Sequence, residues 1–159
     1  MIMVDVEIED DAWGVALEDV AALAEAAASA ALTGEAEGEV IVLLTGDDAI
    51  AELNQRFRDR AGPTNVLSFP AAMTARPHLG DIALAFGVCA REARAQGKPL
   101  AHHLQHLVAH GALHLVGFDH QTDDEDLVME AREREILARL NVPDPYASTD
   151  DPSGLDTER

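Results

Sequence analysis

The chain has one cysteine, Cys89, in 159 residues. No intrachain disulfide can form, which excludes disulfide-stapled secreted scaffolds and fits a reducing cytoplasm. No motif surrounds Cys89, so it reads as a small buried residue rather than a thiol catalyst. Aromatic residues make up only 4% of the chain, too few for a broad platform on which nucleobases stack. No apolar run approaches the roughly 20 residues that span a bilayer. The start, Met1 to Asp5, lacks the basic region and long apolar stretch of a signal peptide. The length leaves room for one domain with a normal core.

Positive charge is also scarce: 11 Lys and Arg against 30 Asp and Glu, a net charge of −19. Taken whole, that balance argues against nucleic acid. Its distribution changes the argument. Residues 1–50 hold 13 acids and no Lys or Arg, whereas residues 51–110 hold seven of the 11 bases against four acids. The local balance of +3 leaves −22 for the rest. The basic stretch also carries five of the seven histidines. An anionic substrate is attracted there and repelled elsewhere, while the acidic remainder keeps the protein soluble.

What is present is a concentrated motif. Residues 110–120 read His-Gly-Ala-Leu-His-Leu-Val-Gly-Phe-Asp-His. His110 and His114 are four apart, so on a helix their imidazoles share a face. Gly117 is the natural stop for that helix, and the chain can turn back to bring in His120. Three imidazoles from a helix and its following loop form the ligand set of a catalytic zinc, with a fourth corner left for water or substrate. The spacing matches the metzincin metal pattern in its ligands and its glycine. Zincins, however, carry a glutamate general base directly after the first histidine. Here that position is Gly111, so the chemistry needs another base or a less demanding substrate. His102, His103 and His106 read as solvent or groove positions, since three later histidines already complete a site. Three imidazoles also suit nickel, copper or iron.

Elsewhere the patterning predicts an α+β domain. Residues 2–8 alternate as a half-buried strand. An Ala- and Leu-rich helix spans 15–32, with Trp13 before it as a lid on the core. A central strand covers 39–45, and a helix capped by an acid of Asp47-Asp48 runs through Phe57. Arg56, Arg58 and Arg60 gather at its end, where the helix dipole favours them. Residues 63–70 form a short or edge strand between prolines, 71–78 a loop and 80–86 a fourth strand. Helices follow at about 87–96, from Leu100 through the motif, and from a cap at Asp123 or Asp124 through Leu140. The apolar stripe of the motif helix is Leu104, Leu107, Val108 and Leu115, with the histidines on another face. The expected whole is a small four-stranded mixed sheet against about five helices, with His-x3-His on a central helix. Residues 1–143 form the single catalytic domain, and 144–159 an acidic tail expected to be disordered.

Asn54-Gln-Arg-Phe-Arg58, Pro63-Thr-Asn-Val-Leu-Ser-Phe-Pro70, Leu79-Gly-Asp-Ile82 and the 110–120 motif occur in an order and spacing that resemble the bacterial YbeY family. The resemblance covers roughly residues 40–140. It implies a single-domain α+β fold and a metal-dependent endoribonuclease acting on single-stranded RNA. It further implies a role in 16S ribosomal RNA 3′-end maturation and ribosome quality control, beside the small subunit and its assembly factors, in the cytoplasm. Zinc would sit at His110, His114 and His120, and Arg58 would be the working arginine. The family often has Tyr where this chain has Phe118, so any contribution from that hydroxyl is missing here.

An RNA substrate accommodates the missing glutamate, because the 2′-hydroxyl is a nucleophile that RNA brings itself; water activated by the metal is the other route. Arg58 would neutralise transition-state charge, or else pair with Asp59 or Glu52 at its helix end. Asp119 would orient a ligand imidazole or cap the next turn, Asp81 would face the site from its strand, and Ser68 would bond substrate or backbone. Neither membrane nor DNA is an expected partner. Two rivals remain: a zincin-like metallopeptidase, against which Gly111 speaks, and a non-catalytic assembly factor with structural zinc and a fourth side-chain ligand such as His106.

Overall fold

A computed structural model describes residues 1–119 and 121–146. His120 and residues 147–159, which include most of the expected tail, lie outside the described residues. The elements in order are β1 (Ile2–Ile8), α1 (Ala12–Ala16), α2 (Val20–Leu32), β2 (Gly38–Thr45), α3 (Asp47–Arg58), β3 (Val66–Pro70), a 3₁₀ turn (Met73–Ala75), β4 (His78–Ala85), α4 (Phe86–Ala95), α5 (Leu100–Leu115) and α6 (Asp123–Arg139). The sheet order is β1-β2-β4-β3, with β1–β2 and β2–β4 parallel and β3–β4 antiparallel. The mixed sheet and the edge placement of the proline-bounded strand follow the expectation.

Alternation decides which side chains meet which layer. On β1, Ile2, Val4 and Val6 pack inward while Met3, Asp5 and Glu7 point out, as befits an edge strand. On β4, Ile82 and Leu84 face a large core shared with α2, α5 and α6. Ala83 and Ala85 face the opposite way, into a small cluster with Ile50 of α3 and Leu67. The apolar stripe of α5 is as expected: Leu104, Leu107, Val108 and Leu115 are all buried.

The Ala-rich helix is not one piece. Trp13 lies inside α1, fully buried, donating from Nε1 to the Thr45 carbonyl at 3.0 Å and meeting Phe86 edge-on. Sending that indole inward turns the chain, and Leu17 goes extended before α2 begins. Ala-rich sequence favours helix on both sides of the break, which hides it from periodicity. The caps also differ from the expectation. Thr122, not Asp123 or Asp124, caps α6, in a capping box with Glu125. Asp47 lies inside α3 and makes no cap; its carboxylate accepts from the Val88 backbone and pairs with Arg91.

The close approach of α5 to the sheet depends on Gly111. A Cβ there would meet Ile82 Cγ2 at 2.8 Å and Val66 Cγ2 at 3.5 Å. Ser68 Oγ donates to the Gly111 carbonyl at 2.8 Å on the same side. The position of the zincin glutamate is therefore closed by β3 and β4. Gly111→Ala should destabilise by about 1–3 kcal/mol through overpacking, despite an intrinsic helix gain of about 1 kcal/mol. Gly14→Ala, where nothing lies within 4 Å of the new Cβ, should not destabilise. Urea midpoints of the two variants check this, and a stabilised Gly111→Ala refutes the packing account.

Candidate active site

One cleft of about 1410 Å³ collects most of the residues singled out by the sequence. Arg58, Ser68, His110, His114 and Asp119 all line it. Asp81 does not. It shares the strand phase of Ala83 and Ala85, on the α3 side of the sheet, and bonds His78 Nε2 at 2.9 Å. A strand Asp thus finds its partner, but away from the histidines. Ser68 takes the backbone alternative through its bond to Gly111.

The histidine pair is set from below. His110 and His114 stack one turn apart on α5, with their Nε2 atoms 3.2 Å from each other. His110 Nδ1 lies 2.7 Å from Glu133 Oε2. With its Nδ1 proton on that carboxylate, a neutral His110 would turn its Nε2 lone pair toward His114. Two imidazole nitrogens on a tetrahedral zinc stand about 3.4 Å apart, given Zn–N of about 2.0–2.1 Å. That spacing fits a divalent cation held between the two rings, which would need both facing nitrogens deprotonated. A carboxylate behind one of the two imidazoles is the arrangement that fixes tautomer and raises basicity where a histidine ligates a metal.

Glu133 was not singled out from the sequence. It is fully buried on α6, and its other oxygen accepts from His106 Nε2 at 2.8 Å and from the Tyr146 hydroxyl. A buried carboxylate must be paired, and three donors meet this one. Burial alone would raise its pKa, but the bonds from His106 and His110 outweigh burial and hold it far below the usual carboxylate range. His106 is pushed below the usual imidazole value by burial, against the opposing pull of Glu133. Since its Nε2 is committed to Glu133, His106 is poorly placed as a fourth metal ligand. A signal existed: Met129, Glu133, Ile136 and Leu137 are the buried residues of α6, so one acid interrupts an apolar stripe at helical spacing.

A second polar cluster shapes the far side of the cleft. Glu92 accepts from Asn65 Nδ2 at 3.0 Å and from His103 Nε2 at 2.8 Å. Burial would raise its pKa, yet those two bonds bring it below the ordinary value. Asn65 Oδ1 accepts from the Val66 backbone. Asn54 Nδ2 donates to the Gly62 carbonyl at 2.9 Å, and the Arg60 amide bonds the Asn54 carbonyl. The two asparagines of the sequence motifs thus fix both ends of the loop after α3. That loop and the end of α3 present Arg58 and Arg60 to the cleft. Arg58 is exposed and makes no ion pair with another described residue. Lys98 also lines the cleft, its ammonium pushed below its usual pKa by burial.

These shifts set the pH response of the metal-free chain. His106 is depressed on folding, so its share of stability is full above about pH 6.5 and falls as acid forces it to charge. Glu133 and Glu92 are depressed too, so their share is full above about pH 4.3 and is lost below it. The thermal midpoint should be flat near pH 7–8, then decline in two stages on acidification. Glu133→Gln should cost about 2 kcal/mol or more at pH 7 and weaken the low-pH stage. A midpoint that rises as pH drops from 7 to 4 contradicts this assignment.

The comparisons with known proteins agree with the motifs. The family model described as endoribonuclease YbeY matches residues 5–141. A Maricaulis maris protein named endoribonuclease YbeY is 53% identical, with 99% of this chain and 100% of the relative aligned. Its Rhodopseudomonas palustris namesake is 48% identical over 92% of this chain and 82% of its own length. A solution structure of a Thermotoga maritima protein aligns with a TM-score of 0.57 and 25% identity, covering 96% of this chain and 99% of that one. With the family model matching most of its length and relatives at about half identity over nearly all of it, the chain belongs to the endoribonuclease YbeY family.

Proposed function

We propose that this protein is a zinc-dependent endoribonuclease that cuts single-stranded RNA, acting in the cytoplasm on 16S ribosomal RNA 3′ ends and in ribosome quality control, beside the small subunit and its assembly factors. Family membership supports the endonucleolytic reaction on RNA. The single observation that carries the metal reading is the facing Nε2 pair of His110 and His114, backed by Glu133. His120 would complete the ligand set. When bound, the metal would supply Lewis-acid polarisation of a phosphate oxygen.

The chain's own residues do the rest. Arg58, Arg60, Lys98 and Arg134 line the cleft beside Glu92, Asp119, Glu130 and Asp144, so its lining is balanced in a strongly acidic molecule and repels a phosphate backbone less than the rest of the surface does. Arg58, from the end of α3, offers a planar fork for two phosphate oxygens and compensates the charge that develops on them in the transition state. The two asparagines fix the loop that follows it. With position 111 closed by the sheet, no zincin-type glutamate can act there, which disfavours the peptidase alternative. The commitment of His106 to Glu133 disfavours a fourth side-chain ligand and hence a purely structural site. Among the described residues, no helix is long and apolar enough to cross a membrane.

Arg58→Ala should lower cleavage of single-stranded RNA by roughly 10²–10³ with the fold intact, and His114→Ala should abolish both zinc uptake and cleavage. A 2′,3′-cyclic phosphate on the products identifies the sugar hydroxyl as nucleophile, whereas a 3′-hydroxyl identifies water. Cleavage of unstructured peptides without cleavage of RNA would overturn the proposal.

A further inference from the structure

The chain does not leave the site at the end of α6. Asn141 takes a left-handed conformation with φ of 62°, and the Val142 amide bonds the Leu137 carbonyl at 2.9 Å, so the backbone turns back. Val142 is buried. Asp144 then pairs with Arg134 Nε at 3.1 Å and accepts from the Tyr146 amide at 2.8 Å. The Arg134 guanidinium lies over the Tyr146 ring at 5.4 Å. These contacts hold the only tyrosine of the chain in the cleft wall. Its hydroxyl donates to Glu133 Oε1 and stands 3.2 Å from His106 Nε2.

Geometry gives that hydroxyl a job. Glu133 must present one oxygen to His110 Nδ1, and its orientation is set by what holds the other oxygen. His106 supplies one donor from the same helix as His110. Tyr146 supplies the only donor to Glu133, among the bonds of the described residues, that comes from beyond α6. We propose that Tyr146 is a positioning residue: its hydroxyl locks the carboxylate that aims His110, so the returning segment after α6 sets the metal affinity of the cleft. The inference rests on the metal-site reading above. It also explains why this stretch, polar and unpatterned in sequence, packs at all: Asp144 and Arg134 brace the ring that carries the hydroxyl.

The test uses the full ¹⁵N-labelled chain, stripped of metal and then titrated with zinc against a chromophoric chelator. Imidazole ¹H–¹⁵N correlations of the zinc-free protein report the His110 Nδ1–H and His106 Nε2–H protons directly. Tyr146→Phe keeps the ring and loses the hydroxyl. It should weaken zinc binding by roughly three- to tenfold, below the roughly 10- to 100-fold expected for removing a ligand's own partner, and should shift or broaden both proton signals. Unchanged affinity together with unchanged signals overturns the proposal. So does loss of affinity in Tyr146→Leu but not in Tyr146→Phe, which would assign the effect to ring packing. Should the phenylalanine variant fail to fold, Asp144→Asn, which loosens the brace only, must move the same two protons; if it leaves them in place, the strap does not hold the carboxylate. Failure of the wild type itself to bind zinc would sink the metal reading, and the zinc-free proton signals would still decide the role of Tyr146.

Discussion

A single buried carboxylate joins the two helices on which the cleft depends. Glu133 reaches from α6 to His106 and His110 on α5. Alone in that interior an ionised carboxyl would be heavily penalised. Ringed by two imidazole N–H groups and a phenol it becomes a fixed negative point. The same contacts tie α6 to α5 and leave His110 Nε2 facing His114 Nε2. Packing and chemistry are thus one interaction, and neither can be altered without the other.

The opposite face of α5 obeys a different constraint. There Gly111 lets the helix lie against Ile82 and Val66, and Ser68 ties the helix backbone to β3. One helix therefore serves two masters at adjacent positions: residue 110 turns to the cleft and residue 111 to the sheet. On a zincin helix the residue after the first histidine acts as base. In this fold it is spent on proximity, and the cleft has to find its reactivity in the substrate or in groups from other elements.

Much of this was legible in the sequence, and the failures have physical causes. The strands were readable because alternation and apolar runs report burial directly. The pairing of His110 with His114 was readable because a spacing of four places two imidazoles on one face of a helix. Asp81 was misplaced because strand phase, not proximity in sequence to a motif, decides the face, and Ala83 and Ala85 of the same phase turn toward α3. The break between α1 and α2 was masked by alanine, which favours helix on either side of a turn forced by Trp13. The capping box of Thr122 and Glu125 was visible but was outweighed by the neighbouring acids. Glu133 was missed because an acid in a charged helix looks solvated; only its phase relative to Met129, Ile136 and Leu137 marks it as buried. Tyr146 was assigned to a tail expected to be disordered, since a strap held by single side-chain contacts has no periodicity to read. Its placement, with Asp144, is observed; His120 and residues 147–159 lie outside the described residues.

The net charge of −19 becomes intelligible once the layers are known. The long N-terminal stretch without a base supplies β1, β2 and α2, while the end of α3, its following loop, the turn before α5 and α6 carry the cations that line the cleft. A phosphate chain would meet less repulsion at this charge-balanced cleft than over the acidic remainder. Because its contacts there would fall to a few exposed cations, they should be screened strongly by salt. The histidine pair is held by buried bonds and should not be. Raising ionic strength should therefore weaken phosphate contacts with the exposed cations of the cleft while the aim of His110 persists, so that the cost of salt would fall on binding before it fell on any bond-breaking step.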